Sequence, residues 1–269
     1  MASYEGGMFA ERVTYGTIST GNTRDDLINS RLIIMWGWDP ANTMGDTNSG
    51  WYLAQAKEAG IKIISVDPRY TDSAAAFADQ WIPIRPGTDA AMLIAMAYVM
   101  IEESLQDQAF LDKYAVGFDQ FKDYISGLED GVAKTPGWAQ EITGVPAATI
   151  TDLAREYATV KPAALLAGIG PGRTAYGEQY HRAALTLAAM TGNIGVHGGE
   201  AAGRVWQTGY GGYPYKLGRP PKSVNNPVER ELSAIGGIVH RCELADAMLK
   251  GKTGGYAADY KLLYVVNSN

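Results

Sequence analysis

The chain has 269 residues, with 23 Lys and Arg against 29 Asp and Glu, a formal net charge of −6 at pH 7. A hydrophobic share of 46% is ample for a core, and 19% charged residues are too few for a disordered or coiled-coil chain. The acidic balance argues against a nucleic-acid or anionic-membrane surface, since both need clustered Lys and Arg. The longest unbroken apolar run, Ala90–Ile101, is 12 residues, short of the ~20 that span a bilayer. Cys242 is the sole cysteine, so this segment alone holds no internal disulfide, Cys-based zinc site or iron–sulfur cluster.

Along the chain, Met1–Ala10 has neither a basic n-region nor an apolar h-region, so no signal peptide is read there. Leu32–Met35, Ile61–Val66 and Ala163–Leu166 are short apolar runs without strict alternation. That is the pattern of strands covered on both faces of a parallel sheet. Between the first two, Trp51–Ala59 is rich in helix formers and ends at Gly60, so Leu32 to Ile61 is one βαβ unit. Trp81–Ile84 holds Pro83 and is an edge strand or an extended connection. Thr88 and Asp89 open a helix running to about Leu105, apolar nearly all round and therefore internal. Gln108–Tyr114 and Phe118–Tyr124 are short amphipathic pieces, and Pro146 suits N1 of a helix to about Thr159. Glu178–Met190 is a further helix, and Arg241–Leu249 another that holds Cys242.

Gly192–Gly212 contains eight glycines and no periodicity, and is expected to be mobile for want of a packing partner. The aromatic-rich Trp206–Tyr215 either lines a substrate funnel or packs under a missing neighbour. Lys261–Val266 reads as a buried strand close to the last residue, Asn269. A core strand with no following helix lacks cover, so a piece of a longer polypeptide is expected. The fold class is therefore α/β, a doubly wound, mostly parallel, Rossmann-like sheet with a second, smaller α/β part. The divisions fall at an opening segment 1–30, a Rossmann-like cofactor-binding domain 31–160 and a second part 161–269.

Four segments carry chemistry. Trp36-Gly37-Trp38-Asp39-Pro40 follows the first strand, where open α/β sheets bind ligands, although Gly and Asp-Pro are also ordinary turn residues. Asp67-Pro68-Arg69-Tyr70-Thr71 follows the second, so Asp67 either holds a ribose or caps a helix. The first βα turn is not G-x-G-x-x-G, and the nicotinamide fingerprint is absent. Arg85-Pro86-Gly87-Thr88-Asp89 sits at a helix start, whose free N–H groups attract phosphate or carbonyl oxygens; a plain cap explains Thr88 and Asp89 equally well. Gly168-Ile169-Gly170-Pro171-Gly172-Arg173 resembles a phosphate loop without a P-loop ending, and Arg173 is an anion partner. Gly37, Asp67, Thr88 and Arg173 are expected to converge on one edge, because parallel strands put their carboxyl ends on one side. His181, His197 and His240 lack metal-ligand spacing and are read as structural, His197 being the one placed to face a ligand.

Taken together, WGWDP, SVDPRYTD and DQWIPIRPGTDAAMLIAMAYVMIEE resemble the molybdopterin oxidoreductases of the dimethyl sulfoxide reductase family. Further matches are FLDKYAVGFDQF, KTPGWAQEITGVPAATITDLAREYA, AGIGPGRTAYGE and Met190-Thr191-Gly192-Asn193-Ile194-Gly195. The likeness is nearest to the catalytic A subunits of the anaerobic branch and covers the chain from about Tyr15. It implies one molybdenum, or tungsten, on two molybdopterin guanine dinucleotides. The implied cofactor contacts are Trp36, Gly37, Trp38, Asp39, Thr43, Val66, Asp67, Gly87, Thr88, Asp89, Ile169, Gly170, Arg173 and Asn269. Ser3 lands on the metal-ligating position and is the implied catalytic residue.

The resemblance further implies oxygen-atom transfer from a sulfoxide or N-oxide, with electrons arriving through iron–sulfur clusters. The cluster-bearing N-terminal domain and a C-terminal cofactor-covering domain are outside this chain. The implied partners are a small oxidised substrate, an iron–sulfur electron-transfer subunit and a membrane-anchor subunit, with no nucleic acid. The full-length protein is implied to be exported and membrane-associated through those subunits, and this segment is expected to be soluble, folded and inactive alone. The alternative is a non-catalytic α/β nucleotide-binding or assembly module.

Overall fold

A computed structural model describes residues 5–17, 20–43, 48–203, 205, 244–256 and 258–262. Two compact units divide between Tyr213 and Pro214. In the first, four parallel strands form one sheet in the order β3-β2-β1-β4: β1 (Leu32–Trp36), β2 (Lys62–Val66), β3 (Gln80–Ile82) and β4 (Ala163–Ala167). Register pairs Leu32 with Lys62 on one side and with Ala163 on the other. All carboxyl ends therefore lie along one edge. The apolar runs without alternation arise because both faces are covered. Leu32, Ile34 and Trp36 pack with α4 (Asp89–Glu102), α7 (Pro136–Thr143), α8 (Ala147–Thr159) and α10 (Glu178–Met190). Ile33 and Met35 point the other way, onto Leu27 and onto Leu53 and Ala56 of α2 (Ser49–Glu58).

The doubly wound parallel sheet thus agrees with the sequence reading. Because β4 pairs with β1, residues from 161 onward begin inside this same sheet, and the first unit runs on to Tyr213. The Trp81–Ile84 segment supplies edge strand β3 over Gln80–Ile82.

Several boundaries are corrected. The internal helix α4 stops at Glu102 rather than near Leu105. Ser104 takes a left-handed φ of 54°, with Ser104 N–H donating to Ile101 O and Leu105 N–H to Met100 O. This is a Schellman termination, normally flagged by glycine, here carried by serine. Pro146 is the N-cap of α8 rather than its first helical residue. The first strand run extends to Trp36, and Gly168–Arg173 contains a helical turn, α9 (Ile169–Gly172).

Among the described residues, the sequence reading does not anticipate α1 (Glu5–Tyr15), a 3-10 turn (Arg24–Asn29), α9, the 3-10 turn Gly251–Gly254, α3 (Asp72–Phe77) or α7. The caps of the last two are visible in hindsight, with Thr71 accepting from Ala74 N–H and Thr135 from Trp138 N–H. The short amphipathic pieces are α5 (Gln108–Tyr114) and α6 (Phe118–Ser126).

The Gly-rich stretch is corrected as far as it is described. Gly198–Gly203 is buried, and its packing partner is the chain's own segment 15–30. In the second unit, a helix over Leu244–Lys250 leads into a 3-10 turn, Gly251–Gly254. Lys261 and Leu262 carry no strand, and the rest of the expected Lys261–Val266 strand lies outside the described residues. Trp206–Tyr215, His240 and Cys242 also lie outside them. Among the described residues, no helix is long and apolar enough to cross a membrane.

Candidate cofactor site at the carboxyl edge of the sheet

The strand order 3-2-1-4 puts the topological switch point between β1 and β4, where the connections depart in opposite directions. There the two strand ends meet. Gly168 N–H donates to Trp36 O at 2.7 Å, Gly37 N–H to Val66 O at 2.8 Å, and Tyr180 Oη to Trp36 O at 3.1 Å. Gly37 adopts φ +56°, and a side chain there would fall 2.6 Å from Pro171 Cγ. Glycine at this turn lets β1 leave the sheet while α9 closes against it.

The predicted residues divide into those buried behind the edge and those that face outward. Trp36 is fully buried, and its indole N–H donates to Asp89 Oδ1 at 2.9 Å. Trp38 packs in the opposite layer under the Arg24 guanidinium, 5.1 Å from its ring centroid. Val66 is buried in the sheet. Asp39 accepts from the Ser73 hydroxyl at 2.5 Å and from Asn42 Nδ2 at 2.7 Å, and pairs with Arg69 at 3.4 Å. Burial alone would raise the Asp39 carboxyl, but these donors outweigh it and hold it below its ordinary value. Asp39 therefore stays ionised and ties the loop after β1 to the start of α3.

Asp67, Gly87, Thr88, Ile169, Gly170 and Arg173 form the outward set, with exposed Thr43 farther along the first loop. The Asp67 carboxylate accepts from Arg69 N–H at 2.9 Å, and burial, with a smaller contribution from the Asp39 charge, pushes it up. An ideal Cβ on Gly87 would lie 3.6 Å from Thr174, so the start of α4 and the end of α9 share this edge. Gly37, Asp67, Thr88 and Arg173 accordingly converge as the parallel topology requires. Ser3 and Asn269 lie outside the described residues.

One reading of the α4 start is corrected. Thr88 holds the N-cap position, but its hydroxyl makes no capping bond and donates back to Arg85 O at 2.7 Å. The basic residue before Pro86-Gly87 also finds its reason. Arg85 donates to Glu141 O and Ile142 O, capping the carboxyl end of α7. Arg85→Ala is expected to cost about 1 kcal/mol in denaturant unfolding, as exposed charge-assisted bonds to helix carbonyls do. An unchanged midpoint would remove the capping role.

Sequence reasoning missed Ser73 and Tyr180, which set the shape of the edge. Ser73 lies 34 residues from Asp39 and Tyr180 lies 144 from Trp36. No local signal announces either contact. Among the described residues, no group of three or more His, Cys, Asp or Glu could hold a metal ion.

A four-stranded parallel sheet in this order, wound on both faces and open at its carboxyl edge, defines a Rossmann-like α/β protein. Comparison with known proteins narrows the class. The chain matches the Molybdopterin oxidoreductase family over residues 4–260. It is 46% identical over 235 residues to dimethyl sulfoxide reductase DmsA of Escherichia coli (strain K12), covering 82% of this chain and 28% of that protein. It is 36% identical over 220 residues to the dimethyl sulfoxide/trimethylamine N-oxide reductase of Cereibacter sphaeroides, covering 78% of this chain and 24% of that protein. Among solved structures, acetylene hydratase from Pelobacter acetylenicus superposes with a TM-score of 0.62 at 29% identity, over 74% of this chain and 26% of that one. The chain belongs to the molybdopterin oxidoreductases, in the dimethyl sulfoxide reductase family. It spans about a quarter of the length of the curated relatives it matches.

Proposed function

We propose that this chain is the central cofactor-holding part of a molybdenum enzyme that reduces a sulfoxide or N-oxide by oxygen-atom transfer. The observation that carries the reading is the 46% identity to a dimethyl sulfoxide reductase over 82% of the chain. The proposed cofactor is molybdenum, or tungsten, on two molybdopterin guanine dinucleotides. When bound, it supplies the two-electron redox chemistry that side chains lack.

The residues on the edge fit the polar parts of such a dinucleotide. Asp67 offers a half-buried carboxylate, suited to ribose hydroxyls. Arg173 and the 71%-exposed Arg69 side chain offer cations for phosphate oxygens. Ile169 and Gly170 open α9, whose first N–H groups have no partner within the helix. Gly170 also leaves open space, since an ideal Cβ there meets only Gly37 O at 3.8 Å. Gly87, Thr88 and Thr43 would complete the surface. Trp36, Trp38, Asp39, Val66 and Asp89 would act from behind, holding the strand ends and loops in place.

Ser3 is proposed as the metal ligand and Asn269 as a further cofactor contact. The intact enzyme would take electrons from an iron–sulfur subunit, with a membrane-anchor subunit and an exported location. Assay of the intact enzyme with a reduced viologen, with and without a sulfoxide or N-oxide, tests the reading, alongside elemental analysis. Turnover with molybdenum or tungsten bound is expected; metal-free protein without turnover would overturn it. The 269-residue chain alone is expected to fold yet retain little metal, because only part of the contact set is present. Losing even a few charged hydrogen bonds, at about 1.5–3 kcal/mol each, weakens binding by orders of magnitude. Stoichiometric metal with turnover on this chain would show the segment to be sufficient.

A further inference from the structure

Four described residues other than glycine adopt a left-handed backbone: Asn48, Ser104, Tyr176 and Ala202. Three have a local reason. Asn48 is of a type that tolerates this region and sits at the N-cap of α2, Ser104 ends α4, and Ala202 is wholly buried. Tyr176, with φ +56°, has no such reason: its side chain is bulky and 81% exposed.

Tyr176 occupies the third position of the turn Thr174–Gly177, closed by Gly177 N–H on Thr174 O at 3.1 Å. Glycine or asparagine is usual where that position is left-handed. Here the glycine comes one residue later, because a Cβ on Gly177 would overlap the Gly172 carbonyl. The turn joins α9 to α10 at the carboxyl edge of the sheet, just after Arg173, and an ideal Cβ on Gly87 would lie 3.6 Å from its Thr174. Among the described residues, the Tyr176 hydroxyl makes no hydrogen bond and its ring meets no other ring or cation. Nothing within the fold accounts for an exposed ring carried on a backbone that costs stability, and such outliers gather at ligand sites.

We propose that Tyr176 is a stacking residue, its ring lying against a flat heteroaromatic ring, pterin or guanine, of the dinucleotide cofactor. This role rests on the cofactor reading above. Tyrosine suits it, offering a large rigid face at the cost of fixing only two side-chain torsions. Stacking needs a flat partner and no particular pattern of donors and acceptors, so an aromatic ring suffices where no hydrogen-bonding group is fixed.

Two variants test it. In urea unfolding of the 269-residue chain, Tyr176→Gly should leave the midpoint unchanged or raise it, because relief of left-handed strain exceeds the entropy that glycine adds to the unfolded chain. A lowered midpoint would assign the ring to the fold and overturn the proposal. In the intact enzyme, molybdenum release in sub-denaturing urea should run roughly tenfold faster in Tyr176→Gly, and at nearly the native rate in Tyr176→Phe, which keeps the ring. Native-rate release in Tyr176→Gly, or equal acceleration in Tyr176→Phe, would overturn stacking and leave the cofactor reading standing. Native enzyme with neither molybdenum nor tungsten would overturn the cofactor reading, and stacking with it. Titration of the cofactor-stripped intact enzyme with guanosine monophosphate and with 6-carboxypterin identifies the ring. The affinity of one should fall roughly tenfold in Tyr176→Gly, and a fall for neither would overturn the proposal.

Discussion

Gly168→Ala should destabilise the chain by about 3 kcal/mol or more, at the upper end of what overpacking costs. The backbone at Gly168 is ordinary, with φ −68°, so conformational strain plays no part. The obstacle is space. An ideal Cβ would overlap the Gly37 carbonyl and stand 2.7 Å from Trp36 O. Those atoms are backbone and cannot swing aside. Trp36 O is held by both Gly168 N–H and Tyr180 Oη, and Gly37 N–H is tied to Val66 O. A methyl group would therefore wedge β1 from β4 at the switch point. Gly170→Ala, two residues on, meets only Gly37 O at an ordinary 3.8 Å, and should stay within about 0.5 kcal/mol of the native chain. Urea unfolding of both variants is the measurement, and coincident midpoints would contradict the wedge.

Asp89→Ala should cost about 3 kcal/mol, because it leaves a buried donor without an acceptor. The Trp36 indole N–H has Asp89 Oδ1 at 2.9 Å, and both groups are buried. The same carboxylate sits in the first turn of α4, where negative charge is favoured, so its loss also weakens the helix start. Asp89→Asn, which can still accept from the indole, should cost less. Burial, as the largest influence, pushes the Asp89 carboxyl above its ordinary value. The group's contribution is then greatest below pH 3.8 and declines as pH rises through its folded value. Unfolding measured across that range should be flatter in Asp89→Asn than in the native chain. Parallel pH curves would detach Asp89 from the effect.

These two residues illustrate what was legible. Gly168 was visible as part of a glycine-rich run after an apolar strand, and Asp89 as an acidic residue opening an apolar helix. Their placement at one edge followed from parallel topology. Their roles did not. Asp89 turns inward to an indole 53 residues away, and Gly168 is needed for the close approach of β1 rather than for a ligand. Arg85, read as part of a possible anion site, is spent on the carbonyls of α7.

The sequence by itself determined the parallel α/β class, the main buried strands, the longer helices and the family likeness. Each of these is carried by a local signal: apolar runs, turn residues and contiguous motifs. The tertiary structure decided which polar groups face outward and which are consumed inside. It also decided that the Gly-rich segment has its packing partner in segment 15–30, about 170 residues earlier in the chain. Hydrogen-bond partners so far apart leave no periodicity in the sequence, and a buried carboxylate is defined by the atoms that surround it, which only the folded chain brings together.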